Sequence, residues 1–122
     1  MSDIKLNSFR AWWLASRPKT LAGAAAPVLV GGAFAFSVMK FLMFKGESLA
    51  VQSSEAVSGL LFNLLVPFGL CLLFALLMQI DANFVNDYFD FKKGADREDR
   101  LGPERACAQG WISPEAMRTG II

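Results

Sequence analysis

The chain has 122 residues, 54% of them apolar and only 19% charged, with a net charge of +1. A soluble domain of this length would disperse its apolar residues, but here they gather into two charge-free runs, Leu21 to Met39 and Ala56 to Ile80. The absence of histidine removes the commonest general base and a principal zinc ligand, so any catalysis must run on carboxylates, metal and electrostatics. No nucleic-acid partner is expected.

Residues Ile4 to Leu14 mix apolar side chains with Lys5, Arg10, Trp12 and Trp13, a composition suited to the headgroup level of a bilayer. A short interfacial helix is expected there. Arg17-Pro-Lys-Thr-Leu21 leads into the first run, with Pro18 fitted to a first helical turn and Ser16 as its cap. Arg17 and Lys19 read equally well as membrane anchors or as contacts to a phosphate.

Both charge-free runs exceed the roughly 18 residues that signal a spanning helix. The spans are expected at 21–43 and 57–84, with a cytoplasmic motif segment over 85–118. The first is rich in Gly and Ala, which let membrane helices approach closely. Pro27 and Pro67 are expected to kink their helices, and Asn63 to hydrogen-bond between helices. Lys and Arg gather before the first span and after the second, so both termini should be cytoplasmic, with the polar stretch 45–55 on the far side. Cys71 lies in a span and Cys107 in the cytoplasmic segment, which argues against a disulfide.

The stretch from Gln79 to Arg105 carries the chemistry. On a helix of about 100° per residue, Gln79, Asn83, Asn86, Asp87 and Asp90 fall near 0°, 40°, −20°, 80° and 20°, all on one face. Asp81 falls near 200°, on the other side. Gly94 offers a stop and Asp96 follows the turn. Carboxylate and amide oxygens suit Mg²⁺, which takes one or two carboxylates together with substrate phosphates. Arg97, Arg100 and Arg105 are forked donors for further phosphate oxygens. Beyond them, Ser113-Pro-Glu reads as a helix start, and Thr119 to Ile122 as the opening of another apolar helix.

Three blocks carry a family resemblance. They are Arg17-Pro-Lys-Thr-Leu21, then Gln79-x3-Asn83-x2-Asn86-Asp87-Tyr88-x-Asp90-x3-Gly94-x-Asp96, then Asp99-Arg100-x-Gly102-Pro103-x-Arg105. In this order and membrane setting the chain resembles the start of a UbiA-superfamily membrane prenyltransferase, nearest to the branch acting on 1,4-dihydroxy-2-naphthoate in menaquinone synthesis. The resemblance implies an all-α membrane bundle, of which this chain would supply the first two transmembrane helices, an interfacial helix and a cytoplasmic loop. It implies prenyl transfer from a polyprenyl diphosphate to the naphthoate with loss of CO₂, assisted by Mg²⁺. Asp87 and Asp90 would then be catalytic. Asn83, Asn86, Arg17, Lys19, Arg97, Arg100 and Arg105 would bind the diphosphate, and Asn86, Asp87, Asp90 and Asp96 the metal. The family's later helices and second acidic motif do not occur here, so the chain is expected to need them in cis or from another chain and to be inactive alone. Another acceptor such as 4-hydroxybenzoate, or a non-enzymatic two-helix accessory protein, are the alternatives.

Overall fold

The computed structural model describes residues 4–45, 54–94 and 104–121. These residues are helical and contain no strand, in four elements: α1 (Phe9–Ala15), α2 (Pro18–Lys45), α3 (Ser54–Lys92) and α4 (Pro114–Gly120). The expected all-α class holds. Helix α1 is shorter than the stretch from Ile4 to Leu14, because Ser8 caps it by accepting the Ala11 N–H at 3.3 Å. Helix α3 does not end at 84; it runs through the polar stripe to Lys92. It stops where the sequence offers a glycine: Gly94 has φ of 64° and donates its N–H to Phe91 O, a left-handed position that glycine takes without steric cost.

Ser16 is not the cap of α2. It closes α1, where its hydroxyl donates to Trp13 O at 2.7 Å. Its backbone is still helical, so its side chain points back along α1 rather than toward the first turn of α2. The start predicted at Ser113 does form, with Ser113 Oγ accepting the Ala116 N–H and Pro114 in the first turn. Helix α4 ends at Gly120, and Ile121 is extended.

The residues form two compact units, 1–22 with 77–122, and 23–76. In the second, the ring of Phe68 lies where a Cβ on Gly32 would be, so this glycine permits the close approach that the small-residue run foretold. Pro27, Gly31, Gly32, Asn63, Pro67 and Phe68 border an apolar groove of about 470 Å³. Both prolines lie inside continuous helix. Asn63 lines the groove. Two stretches, Pro18–Leu42 and Leu61–Lys92, are long and apolar enough to cross a membrane. Their surfaces bear exposed Val30, Phe34, Phe62, Leu70 and Phe74, side chains that a bilayer solvates and water does not.

The first unit holds the core. Ala11, Ala15, Phe84, Ala106, Cys107, Ile112 and Met117 are buried together, with Trp12 packed beside them. Trp12 and Phe84 meet edge to face at 5.2 Å. Asn7 ties the N-terminal segment to the other end of the chain. Its N–H donates to Trp111 O at 2.8 Å and its Oδ1 accepts from Ser113 N at 3.0 Å. Neither cysteine is in a disulfide.

Gly120 tests this core. A Cβ there would stand 2.7 Å from two carbons of the Trp12 ring, so Gly120→Ala is expected to destabilise the protein by about 1–3 kcal/mol through overpacking. A lowered unfolding midpoint in detergent micelles checks this.

Candidate functional site

The polar stripe at the C-terminal end of α3 divides into two rows. One row, Asn83 and Asp87, faces inward and is buried, at 4% and 1% exposure. The other, Asn86 and Asp90, faces outward: Asn86 is exposed and Asp90 half-buried. Members of each row are four residues apart, one helical turn, so each row stacks along the axis.

The inner row is fully engaged in holding the chain together. Asn83 Nδ2 donates to Ser16 O at 2.8 Å and to Thr20 Oγ1 at 3.0 Å, while its Oδ1 accepts from Gln79 Nε2 at 3.4 Å. One carboxamide thus spans the corner between α1 and α2. Arg17 sits in that corner with φ of 52°, a left-handed conformation that costs of order 1–3 kcal/mol in a non-glycine residue. Its surroundings hold it there. The Arg17 N–H donates to Leu14 O at 3.1 Å, and Arg17 O accepts from both Thr20 N and Thr20 Oγ1 at 2.9 Å.

Asp87 performs the same service for the segment after α3. Its Oδ2 accepts the Ala106 N–H at 2.8 Å and its Oδ1 the Cys107 N–H at 3.2 Å. Charge-assisted bonds of this kind are the strong ones, and a buried carboxylate requires them. Ala106 in turn opens a tight turn, with Gln109 N donating to Arg105 O and Trp111 N to Ala106 O, each at 2.9 Å.

The outer row has a different character. Arg105, 7% exposed, pairs through Nη2 with Asp90 Oδ2, whose side chain is 31% exposed. Asn86 stands one turn before Asp90 with its side chain exposed. Arg17 is half-buried and Lys19 exposed. Asp96, Arg97 and Arg100 lie outside the described residues, so the structure gathers Asn83, Asn86, Asp87, Asp90 and Arg105 on one helix end and its docked turn.

As a metal site, these donors fit a particular kind of ion. Among the described residues there is no group of three or more acids, histidines or cysteines able to cage a metal. Asp87 has both oxygens committed to backbone amides. The outward-facing donors are the Asp90 carboxylate, which is paired with Arg105, and the Asn86 amide oxygen. That set suits Mg²⁺, which keeps several waters and completes its shell with substrate phosphates.

Four partners in this arrangement were not anticipated from sequence. They are Ser16 O and Thr20 for Asn83, and the amides of Ala106 and Cys107 for Asp87. The helical angles contained a signal: Asn83 and Asp87 lie near 40° and 80°, Asn86 and Asp90 near −20° and 20°, about 60° apart row to row.

The chain is similar to curated proteins named 1,4-dihydroxy-2-naphthoate octaprenyltransferase. It is 34% identical to that of Haemophilus influenzae over 95% of its own length and 31% of the relative's. To the Escherichia coli protein it is 34% identical over its whole length and 32% of the relative's, and to the Mycobacterium tuberculosis protein 29% identical over 96% and 32%. The chain is thus homologous to these proteins from end to end while spanning about a third of their length. No family model matches it, and no solved structure does.

If Asn83 is a structural tie, its loss will register without any ligand. Asn83→Leu leaves the Ser16 carbonyl without that partner, and chemical or thermal unfolding should show a loss of about 1–3 kcal/mol. Thr20→Val, which spares the bond to Ser16, should cost less.

Proposed function

We propose that this chain forms part of a membrane prenyltransferase that moves a polyprenyl group from its diphosphate to 1,4-dihydroxy-2-naphthoate, with loss of CO₂. The observation that carries the reading is the outer row of α3. Asn86 and Asp90 present a hard-cation donor pair beside the buried guanidinium of Arg105, within the stretch similar to the octaprenyltransferases. Demethylmenaquinone would be the product. The family assignment to the UbiA superfamily, and the need for the rest of the bundle to enclose a prenyl chain, belong to the same proposal.

Asn86 and Asp90 would hold Mg²⁺, which when bound neutralises charge on a diphosphate leaving group. Arg105 adds a forked donor to the diphosphate oxygens, and being largely desolvated it acts more strongly than an exposed arginine would. Arg17, Lys19, Arg97 and Arg100 supply further positive charge in this reading. The allylic C–O bond breaks with its electron pair leaving on the diphosphate. The ring carbon bearing the carboxylate then bonds to the prenyl carbon, and departure of CO₂ returns its bonding pair to the ring. No carboxylate of the chain needs to act as nucleophile.

The placement of Lys and Arg supports an orientation in which the stripe opens to the cytoplasm, in the cytoplasmic membrane. The acceptor's identity rests on the relatives' names.

In the enzyme that contains this chain, Asp90→Asn should lower prenyl transfer at least about 100-fold, the scale for loss of a preorganised electrostatic group, while membrane insertion stays intact. Product formation from radiolabelled diphosphate measures it. An unchanged rate would remove Asp90 from the site.

A further inference from the structure

We propose that Asp87 is a positioning residue rather than a metal ligand: it clamps the backbone of Ala106 and Cys107 and thereby sets Arg105 against Asp90. The proposal rests on the reading of Asp90 and Arg105 as the diphosphate site, and it changes what the most acidic part of the stripe does.

The argument is one of burial and of bonds already made. The Asp87 side chain is 1% exposed. Each of its oxygens already accepts a backbone N–H, from Ala106 at 2.8 Å and from Cys107 at 3.2 Å. Each oxygen keeps a second lone pair, but the carboxylate lies in a region that also holds Ile112 and Met117, both fully buried, so a cation could meet it only by entering the core. Buried backbone N–H groups are almost always satisfied. The metal would therefore have to disrupt the core to recruit Asp87, whereas Asp90 is already at the surface.

The clamp acts one residue away from the functional group. Ala106 follows Arg105 directly, so fixing the Ala106 amide fixes the Arg105 backbone. The turn is locked on its other side by Gln109 N to Arg105 O and by Trp111 N and Ile112 N to Ala106 O. Arg105 is itself buried and paired with Asp90. Two acids one turn apart on α3 thus have complementary tasks: Asp87 holds the turn, and Asp90 receives the side chain the turn presents. A side chain prepositioned in this way meets its ligand without being ordered at that moment.

The test uses the chain in lipid nanodiscs, with Mn²⁺ and inorganic pyrophosphate as probes. Asp87→Asn keeps the shape of the side chain but replaces one acceptor oxygen by a donor. Amide hydrogen exchange at Ala106 and Cys107 should rise at least about tenfold, as expected for loss of a buried hydrogen bond, while the amides of Ala11 and Ala15 stay protected as a control for folding. Pyrophosphate binding should weaken, and the half-saturating Mn²⁺ concentration at fixed pyrophosphate should stay within about twofold of the unaltered chain. Asp90→Asn should show the converse, a raised Mn²⁺ requirement with Ala106 and Cys107 still protected. A second measurement needs no variant: saturating the unaltered chain with Mn²⁺ and pyrophosphate should leave both amides protected. Exchange that rises on metal binding, or a large Mn²⁺ shift in Asp87→Asn, would overturn the proposal. Amides still protected in Asp87→Asn would likewise overturn it, whereas amides released in Asp87→Asn together with no Mn²⁺ effect of Asp90→Asn would leave the clamp standing and defeat the diphosphate reading.

Discussion

A carboxylate can be buried only if its charge is met, and in this protein the buried carboxylate of Asp87 is met by backbone. The rest of the site follows from that requirement. The two amides it accepts bring residues 104–112 back onto α3, place Ile112 in the core with Phe84 and Ala11, and put Arg105 beside Asp90. One turn earlier Asn83 makes the equivalent connection to the other side, pinning the corner that joins α1 to α2. Both connections are made by side chains on the same row of one helix. The end of α3 is therefore a hub on which the segment before the first span and the segment after the second are both fastened.

This division of labour explains why the stripe needs so many polar residues. A helix that only presented ligands to a cation would need two or three donors, and these could sit on an exposed face. In the proposed reading the outward-facing Asn86 and Asp90 would gain their setting from inward-facing neighbours that need not touch a ligand. The preorganised quantity is the position of positive charge: Arg105 is fixed by its backbone, and Arg17 by a left-handed corner that Asn83 and Thr20 hold closed. Electrostatic stabilisation of a leaving group depends on charges that are in place beforehand, and under the proposed function the buried row would supply that.

Much of this was legible in the sequence. The two long charge-free runs foretold α2 and α3, Gly94 foretold the end of α3, and Ser113-Pro114 foretold α4, because each signal is local and steric or follows from helical periodicity. The shared face of the five stripe residues was legible for the same reason. What could not be read was which members of the face turn inward. That depends on what packs against the helix, and Ser16, Thr20, Ala106 and Cys107 carry no motif that marks them as partners. Ser16 shows the limit from the other side: a serine before a proline looks like an N-cap, but here the preceding helix claims it. The polar stripe past residue 84 is a related case: its residues were placed on a helix by their spacing, and α3 keeps helical order through them to Lys92.

The most direct test of this account is a structure of the complete homologous enzyme with Mn²⁺ and a non-hydrolysable prenyl diphosphate bound, the metal located by its anomalous scattering. The account predicts Mn²⁺ within about 2.2 Å of oxygens from the residues matching Asn86 and Asp90, the bonding range for hard divalent cations. The residue matching Asp87 should remain on its two backbone amides, with the arginine matching Arg105 on the diphosphate. Mn²⁺ bonded to the Asp87 carboxylate, with those amides released, would contradict it.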